Sequence, residues 1–215
     1  MFIALVVLVY CGLVAVLKKS LPVALALGLW LTFTGLLAAY GALLDFNSLP
    51  PRVGLVILPS LVAAVVFGSG PPLRNWLPKI SGRSLVALQS FRFFLELLLA
   101  SLAGRHLLPE IMTFGGRNFD VLTGLTAPLV AWYCFRAGVV HTRVLIVWNF
   151  AGLVLVTNVF AHGMLSAPTR FQVFHTAPPN EIIGTFPYVW LVCFFVPLAY
   201  FLHFMSLRKA LVSDR

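Results

Sequence analysis

The segment SLVALQSFRFFLELLLASLAG, residues 84–104, decides how the rest of the chain is read. At about 1.5 Å per residue it forms a helix of about 30 Å, the thickness of a bilayer's hydrocarbon core. It nevertheless carries Gln89, Arg92 and Glu96 at i, i+3 and i+7, which a period of 3.6 residues places on one face. A charge near the membrane centre costs about 2.5–3.5 kcal/mol on insertion scales, so this face turns toward other helices while the remaining faces meet lipid. One segment thus predicts an all-α, polytopic helix bundle embedded in a membrane.

The rest of the chain agrees. Of 215 residues, 60% are hydrophobic and 10% charged, against about 45–50% and about 25% in soluble domains. The mean hydropathy is +0.99. Working outward from residues 84–104, apolar runs mark seven spans of one membrane domain, at residues 2–17, 22–44, 53–68, 84–104, 121–135, 144–165 and 188–207. Those at 53–68 and 121–135 are short and contain Gly54, Pro59, Gly124 and Pro128, so kinking or partial unwinding is expected there. The first run has no basic region before it and Lys18-Lys19 after it, which reads as a retained span with its N-terminus outside, not as a cleaved signal.

Sorting the charges by side explains the net +9. Seven spans from an external N-terminus put Lys18, Lys19, Arg74, Lys79, Arg83, Arg136, Arg143, Arg208, Lys209 and Arg215 on the cytoplasmic side and Arg52, Arg105, Arg117 and Arg170 outside. Asp45, Glu110, Asp120 and Glu181 balance the outer set, and Asp214 lies inside. The excess therefore sits on one face, where topology and anionic lipid account for it, and no nucleic-acid partner is implied. Between the third and fourth spans, Leu73, Trp76, Leu77 and Ile80 follow a helical spacing beside basic residues, as in a short helix at the membrane surface.

Candidate chemistry is sparse. Arg92 and Glu96 at i, i+4 can pair within their helix, with Gln89 on the same face and Asn149, Asn158 or Tyr200 as partners across helices. Two readings stay open, polar glue between helices or a charge pair on a solute or proton path. In the outer loop Gly115-Gly116-Arg117-Asn118-Phe119-Asp120, either Asn118 or Asp120 caps the following helix, or Arg117 and the helix N-terminus form an anion-binding corner. His162 and Asn158 share a face near the outer end of the sixth span.

The long outer loop 166–187 carries His175, Asn180 and Glu181 and is expected to fold back onto the bundle. Cys11, Cys134 and Cys193 show no paired spacing, and no metal-ligand motif such as HExxH occurs. His162 and His203 fall at opposite membrane depths, which argues against a haem sandwiched between them, and no other cofactor signature is present.

The stretches FRF at 91–93, MTFGGRNFD at 112–120 and TGLTAP at 123–128, with Trp148-Asn149, Leu165-Ser166-Ala167-Pro168 and Tyr188-Val189-Trp190, resemble a group of small uncharacterised bacterial multi-pass membrane proteins. The resemblance covers roughly the second half of the chain. It implies a bacterial cytoplasmic membrane and brings no mechanism.

The expected function is binding or translocation of a small, anionic solute, with Arg117 and the start of the fifth span making first contact outside and Arg92 and Glu96 lying deeper, while Gln89, Asn118, Asp120, Asn158 and His162 complete the candidate ligand-binding set. The alternatives are a membrane-embedded enzyme using His106, Glu110, Asp120, His162, His175 and Glu181 as acid-base groups, and a non-catalytic scaffold.

Overall fold

The computed structural model describes residues 1–18, 20–73, 76–136 and 140–213. Lys19, Arg74, Asp214 and Arg215, four members of the charge count, lie outside the described residues. The described chain is all-α. In order it forms α1 Phe2–Val16, α2 Leu21–Ala39, α3 Gly54–Ser69, α4 Gly82–Leu88, α5 Phe91–Ala103, α6 Val121–Cys134, α7 Thr142–Ser166 and α8 Val196–Ser213, the last entered through a wide π-helical turn at Leu191–Phe195.

Four stretches are long and apolar enough to cross a membrane: Leu21–Ala39, Gly82–Ala103, Thr142–Ser166 and Leu191–Val212. The helices Phe2–Val16, Gly54–Ser69 and Val121–Cys134 are apolar but shorter. Outward-facing residues of α2 (Leu25, Leu29, Phe33, Leu36) and α7 (Val147, Phe150, Val154) are large, apolar and exposed, a pattern suited to lipid contact and costly in water.

The bundle is organised around α8. Its apolar window is 72% buried, against 17% for α2 and 28% for α7. Every residue of the π turn is buried, and so are Leu198, Ala199, Leu202, His203, Met205 and Ser206. A helix apolar on all sides and surrounded by others is the expected centre of a membrane bundle. Around it α1 presents Phe2, Val6, Val9 and Leu13, a stripe at helical spacing, and α3 presents Val56, Ile57, Ser60, Ala64 and Gly68. Trp30 on α2 donates its indole N–H to Ser60 Oγ on α3 (3.1 Å) and, more weakly, to the Cys193 carbonyl inside the π turn (3.4 Å). Trp190 donates to the Leu31 carbonyl (3.1 Å), so α2 is pinned to the core by two indoles.

Several local expectations change. The span at 84–104 is two helices, because the chain leaves regular α geometry at Gln89-Ser90 and resumes at Phe91. The helices at 54–69 and 121–134 run unbroken through Pro59 and Pro128. The surface helix around Leu73–Ile80 is instead a pair of 3-10 turns, Pro71–Leu73 and Leu77–Lys79, with Arg74 and Asn75 outside the described residues. Leu77 and Ile80 are buried, so this connection packs onto the bundle. Lys209 Nζ donates to the Leu77 carbonyl (3.1 Å) and Arg208 donates to the Gly70 carbonyl, tying the end of α8 to it. The loop 166–187 does fold back through buried Asn180, Ile182 and Ile183, while Phe171 and Phe186 remain exposed.

Candidate functional site

Two regions carry the features that ligand chemistry could use, a buried polar network and an open apolar cavity. The network starts from Arg92, 1% exposed on α5. Its guanidinium is a rigid fork of five donors and no acceptor, so it needs oxygen or nitrogen acceptors on several sides. Asp120, the residue before α6, supplies two. Arg92 Nε donates to Asp120 Oδ2 (2.6 Å) and Nη2 to Oδ1, a bidentate ion pair. Arg92 Nη1 lies 2.8 Å from His203 Nε2 on α8.

Because the guanidinium only donates, His203 Nε2 accepts and the ring proton sits on Nδ1, which donates to Asn149 Oδ1 on α7 (2.9 Å). Asn149 Nδ2 then donates to Ser206 Oγ (3.0 Å) and to the Leu145 carbonyl (2.7 Å). The chain of donors and acceptors closes with four helices linked.

Two glycines let these helices approach. A Cβ on Gly124 of α6 would lie 2.2 Å from the backbone nitrogen of Phe93, beside Arg92, and one on Gly152 of α7 would lie 2.3 Å from His203 Cε1. Neither position admits a larger residue without moving a helix or the imidazole.

The expected pair within α5 is therefore not formed. Arg92 turns to Asp120, whose bidentate geometry a neighbour at i+4 cannot match, and Glu96 turns to Asn118. Asn118 Nδ2 donates to Glu96 Oε1 (2.7 Å) and to the Met112 carbonyl (3.0 Å), while its Oδ1 accepts from the Asp120 backbone N–H (3.0 Å). Neither Asn118 nor Asp120 caps α6 by a side-chain bond: Asn118 closes a local turn, and the Asp120 carboxylate is spent on Arg92. Asp120, counted as an outer-loop charge from sequence, is 4% exposed and belongs to the interior. Gln89 shares the face but stands apart, donating to the Ala199 carbonyl (3.3 Å).

The other candidates form a second group. Asn158 Nδ2 donates to the Arg117 carbonyl (2.7 Å), and His162 Nδ1 lies 2.8 Å from the Asn158 carbonyl. The His162 ring stacks on Phe174, with centroids 5.1 Å apart, and the exposed Arg117 guanidinium sits 5.8 Å over the same ring. Among the described residues no three His, Cys, Asp or Glu side chains converge as metal ligands would. Of the acid-base set named from sequence, Asp120 is committed to Arg92.

The apolar cavity lies on the other side of α8, between α1, α2, α3 and the π turn, with a volume of about 460 Å³. Leu13, Leu17, Val23, Leu27, Ala63, Phe67, Leu73, Trp76, Phe194 and Phe201 are among its walls, and its few polar groups are already paired, Trp30 with Ser60 and Cys193. Its walls gather the C-terminal end of α1, the start of α2, the end of α3 and the 71–80 connection, the end of the bundle that carries Lys18, Lys79, Arg208 and Lys209.

The sequence does not pair His203 with Arg92, shows Asn180 only as a loop residue, and gives no sign of this cavity. The available signal for His203 was its i+3 relation to Ser206, the two polar residues on the stretch of α8 between Tyr200 and Arg208. The cavity has no polar signature to read.

No curated protein and no solved structure matches the chain. A family model described as a domain of unknown function, DUF8737, matches residues 50–211, beginning at the turn into α3 and so reaching further toward the N-terminus than the resemblance read from the second half of the sequence. Covering most of the chain from α3 to α8, that match places this protein in the DUF8737 family.

Proposed function

We propose that the chain is a multi-pass integral membrane protein of seven spans, N-terminus outside, that binds an anionic amphiphile. The hydrocarbon tail occupies the cavity between α1, α2, α3 and α8, and the head group meets the basic end of the bundle. The cavity carries this reading. At about 460 Å³ it lies within the usual range for small-molecule sites, and with its indole and hydroxyl groups already paired its walls offer a guest hydrocarbon contact and little else. Such a surface favours an apolar chain by dispersion and by exclusion from water. Lys18 follows the lining residue Leu17 and is exposed, and Lys79 follows Trp76 by three residues and is exposed too, so a phosphate or carboxylate head group would find positive charge near the tail site. The buried network takes the structural part in this reading, since every donor position of Arg92 seen to bond goes to Asp120 or His203 and none is turned toward a solute.

The test is lipid retention. Purified in detergent, the wild-type chain should carry a bound amphiphile visible by native mass spectrometry, and Ala63→Phe, which fills the cavity from α3, should lose it while remaining folded. Equal lipid content in the two proteins would remove the proposal.

A further inference from the structure

On the opposite side of α8, a second and much smaller cavity of about 50 Å³ lies beside Glu96. Its walls are hydrocarbon from Leu95, Met112, Val156, Val159 and Phe195 apart from three polar residues, Glu96, Asp120 and Asn180. Two oxygen atoms here are buried without a hydrogen-bond partner among the described residues, Glu96 Oε2 and Asn180 Oδ1. Both side chains are buried, at 2% and 0% exposure, so bulk water does not satisfy them. Orphaned buried acceptors are rare and usually mark an unseen water or ion. The volume fits, because about 10–15 Å³ is enough for one water.

The chemistry of the guest follows from what the walls lack. The polar side chains facing the space present acceptors only: Asn180 Nδ2 is already donated to the Gly163 carbonyl (2.9 Å), and Asn118 Nδ2 is used on Glu96 Oε1. A guest must therefore supply donors or positive charge. Charge balance favours charge. Arg92, one turn from Glu96 on α5, is matched by Asp120 at the start of α6, and His203 on α8 is reached only through Arg92. The side chains that α7 and the π turn bring to the walls are hydrocarbon, and the Gly163 carbonyl is taken by Asn180 Nδ2. Glu96 is left with a neutral amide and no counter-charge. One unmatched carboxylate balances a single positive charge, so a monovalent guest leaves the interior neutral where a divalent ion would not.

We propose that this cavity is a monovalent-cation site centred on Glu96 Oε2 and Asn180 Oδ1, filled by a proton delivered through bound water or by a sodium ion. In the proton case, hydronium in the cavity gives its proton to the Glu96 carboxylate, leaving a neutral carboxyl and a water that donates to Asn180 Oδ1. In the sodium case the ion bridges the two oxygens, and water held in the cavity completes its coordination. The site is independent of the amphiphile cavity.

The experiment uses the full chain in nanodiscs of zwitterionic lipid, following the thermal midpoint while sodium replaces choline at constant ionic strength and, separately, while pH varies at fixed sodium. If sodium is the guest, the midpoint rises by about 5–10 °C as the ion reaches a hundredfold excess over its Kd. If the guest is a proton, sodium has no effect and the midpoint falls as pH rises, because the folded state holds a proton that the unfolded state releases. Glu96→Gln should abolish whichever response the wild type shows. Val156→Leu keeps Glu96 and Asn180 but narrows the cavity, and should weaken the sodium response by about tenfold in concentration or flatten the pH response. A wild type insensitive to both variables overturns the proposal, as does a Glu96→Gln protein that follows the wild type. Should Glu96→Gln fail to fold, a Val156→Leu response equal to that of the wild type overturns it.

Discussion

The two sides of α8 solve the problem of helix contact in opposite ways. Toward α5, α6 and α7 the helices approach until glycine is required at Gly124 and Gly152, and the contact is fixed by Arg92, Asp120, His203, Asn149 and Ser206 in one connected set. Toward α3 the packing is also close, a Cβ on Gly68 meeting Phe204 Cβ at 2.9 Å, but between α1, α2, α3 and the π turn it opens to leave about 460 Å³ between apolar walls. Lipid tails are as apolar as leucine, so helices in a membrane gain little from hiding hydrocarbon from one another, and close contact needs directional bonds or small residues. One side has both. The other holds α2 by the indoles of Trp30 and Trp190 and closes α3 on α8 at Gly68, yet leaves the cavity open between them. The connected polar set therefore marks where α5, α6, α7 and α8 close on one another, and the larger cavity is found where such residues are absent.

The largest effect that could break this contrast comes from its charged centre. Asp120→Ala leaves the Arg92 guanidinium buried without its counter-charge, and should cost about 3–5 kcal/mol of stability, read as a fall in thermal midpoint or in resistance to denaturing detergent. Removing both charges, as Arg92→Met with Asp120→Leu, should recover most of that loss, less about 1–3 kcal/mol for the unpaired His203 Nε2. A double variant that recovers stability and keeps its amphiphile makes the network architectural. One that recovers stability but loses the amphiphile would join the two sides into a single functional unit.

Next comes Gly124→Ala. Its methyl group would meet the Phe93 nitrogen at 2.2 Å, a backbone atom that cannot swing aside, so α5 and α6 must separate. Overpacking of this kind costs about 1–3 kcal/mol, occasionally more. Because the shift also moves Arg92 relative to Asp120, its cost should add less than fully to that of Asp120→Ala, a coupling that a double-mutant cycle measures.

What the sequence made legible divides along the same line. The apolar runs announced the helices, and the i, i+3, i+7 spacing of Gln89, Arg92 and Glu96 announced a face turned inward, because both signals are local and periodic. The partners were not legible, since nothing local distinguishes Asp120 as a loop charge from Asp120 as the buried acceptor of a residue 28 positions away. Arithmetic that balanced the outer loops at zero used Asp120 as a surface charge. Once it is returned to the interior beside Arg92, the loops that the sequence reading puts outside are left with four arginines against Asp45, Glu110 and Glu181, and Glu96 becomes the interior charge without a match. The break at Gln89-Ser90 was invisible for a related reason, as both halves are apolar enough to extend the same span. The cavity could not be seen at all, because a space between leucines and a leucine contact have the same composition.

The smallest effect is the most discriminating, because its sign should reverse. Gly28 sits in the interior of α2, and a Cβ added there would meet only the Tyr10 hydroxyl oxygen, at 3.5 Å, an ordinary contact. That hydroxyl donates to the Ala24 carbonyl (2.8 Å), four residues before Gly28, so it is held in place and need not move. Gly28→Ala therefore removes backbone freedom from the unfolded chain without crowding the folded one, and should raise stability by about 0.4–1 kcal/mol. The same substitution at Gly124 lowers it. A stabilised Gly28→Ala with a destabilised Gly124→Ala is the signature of one loose and one closed side of a single bundle. If both lower stability, α2 is packed as tightly as α6 when surrounded by lipid, and the open cavity closes in the membrane.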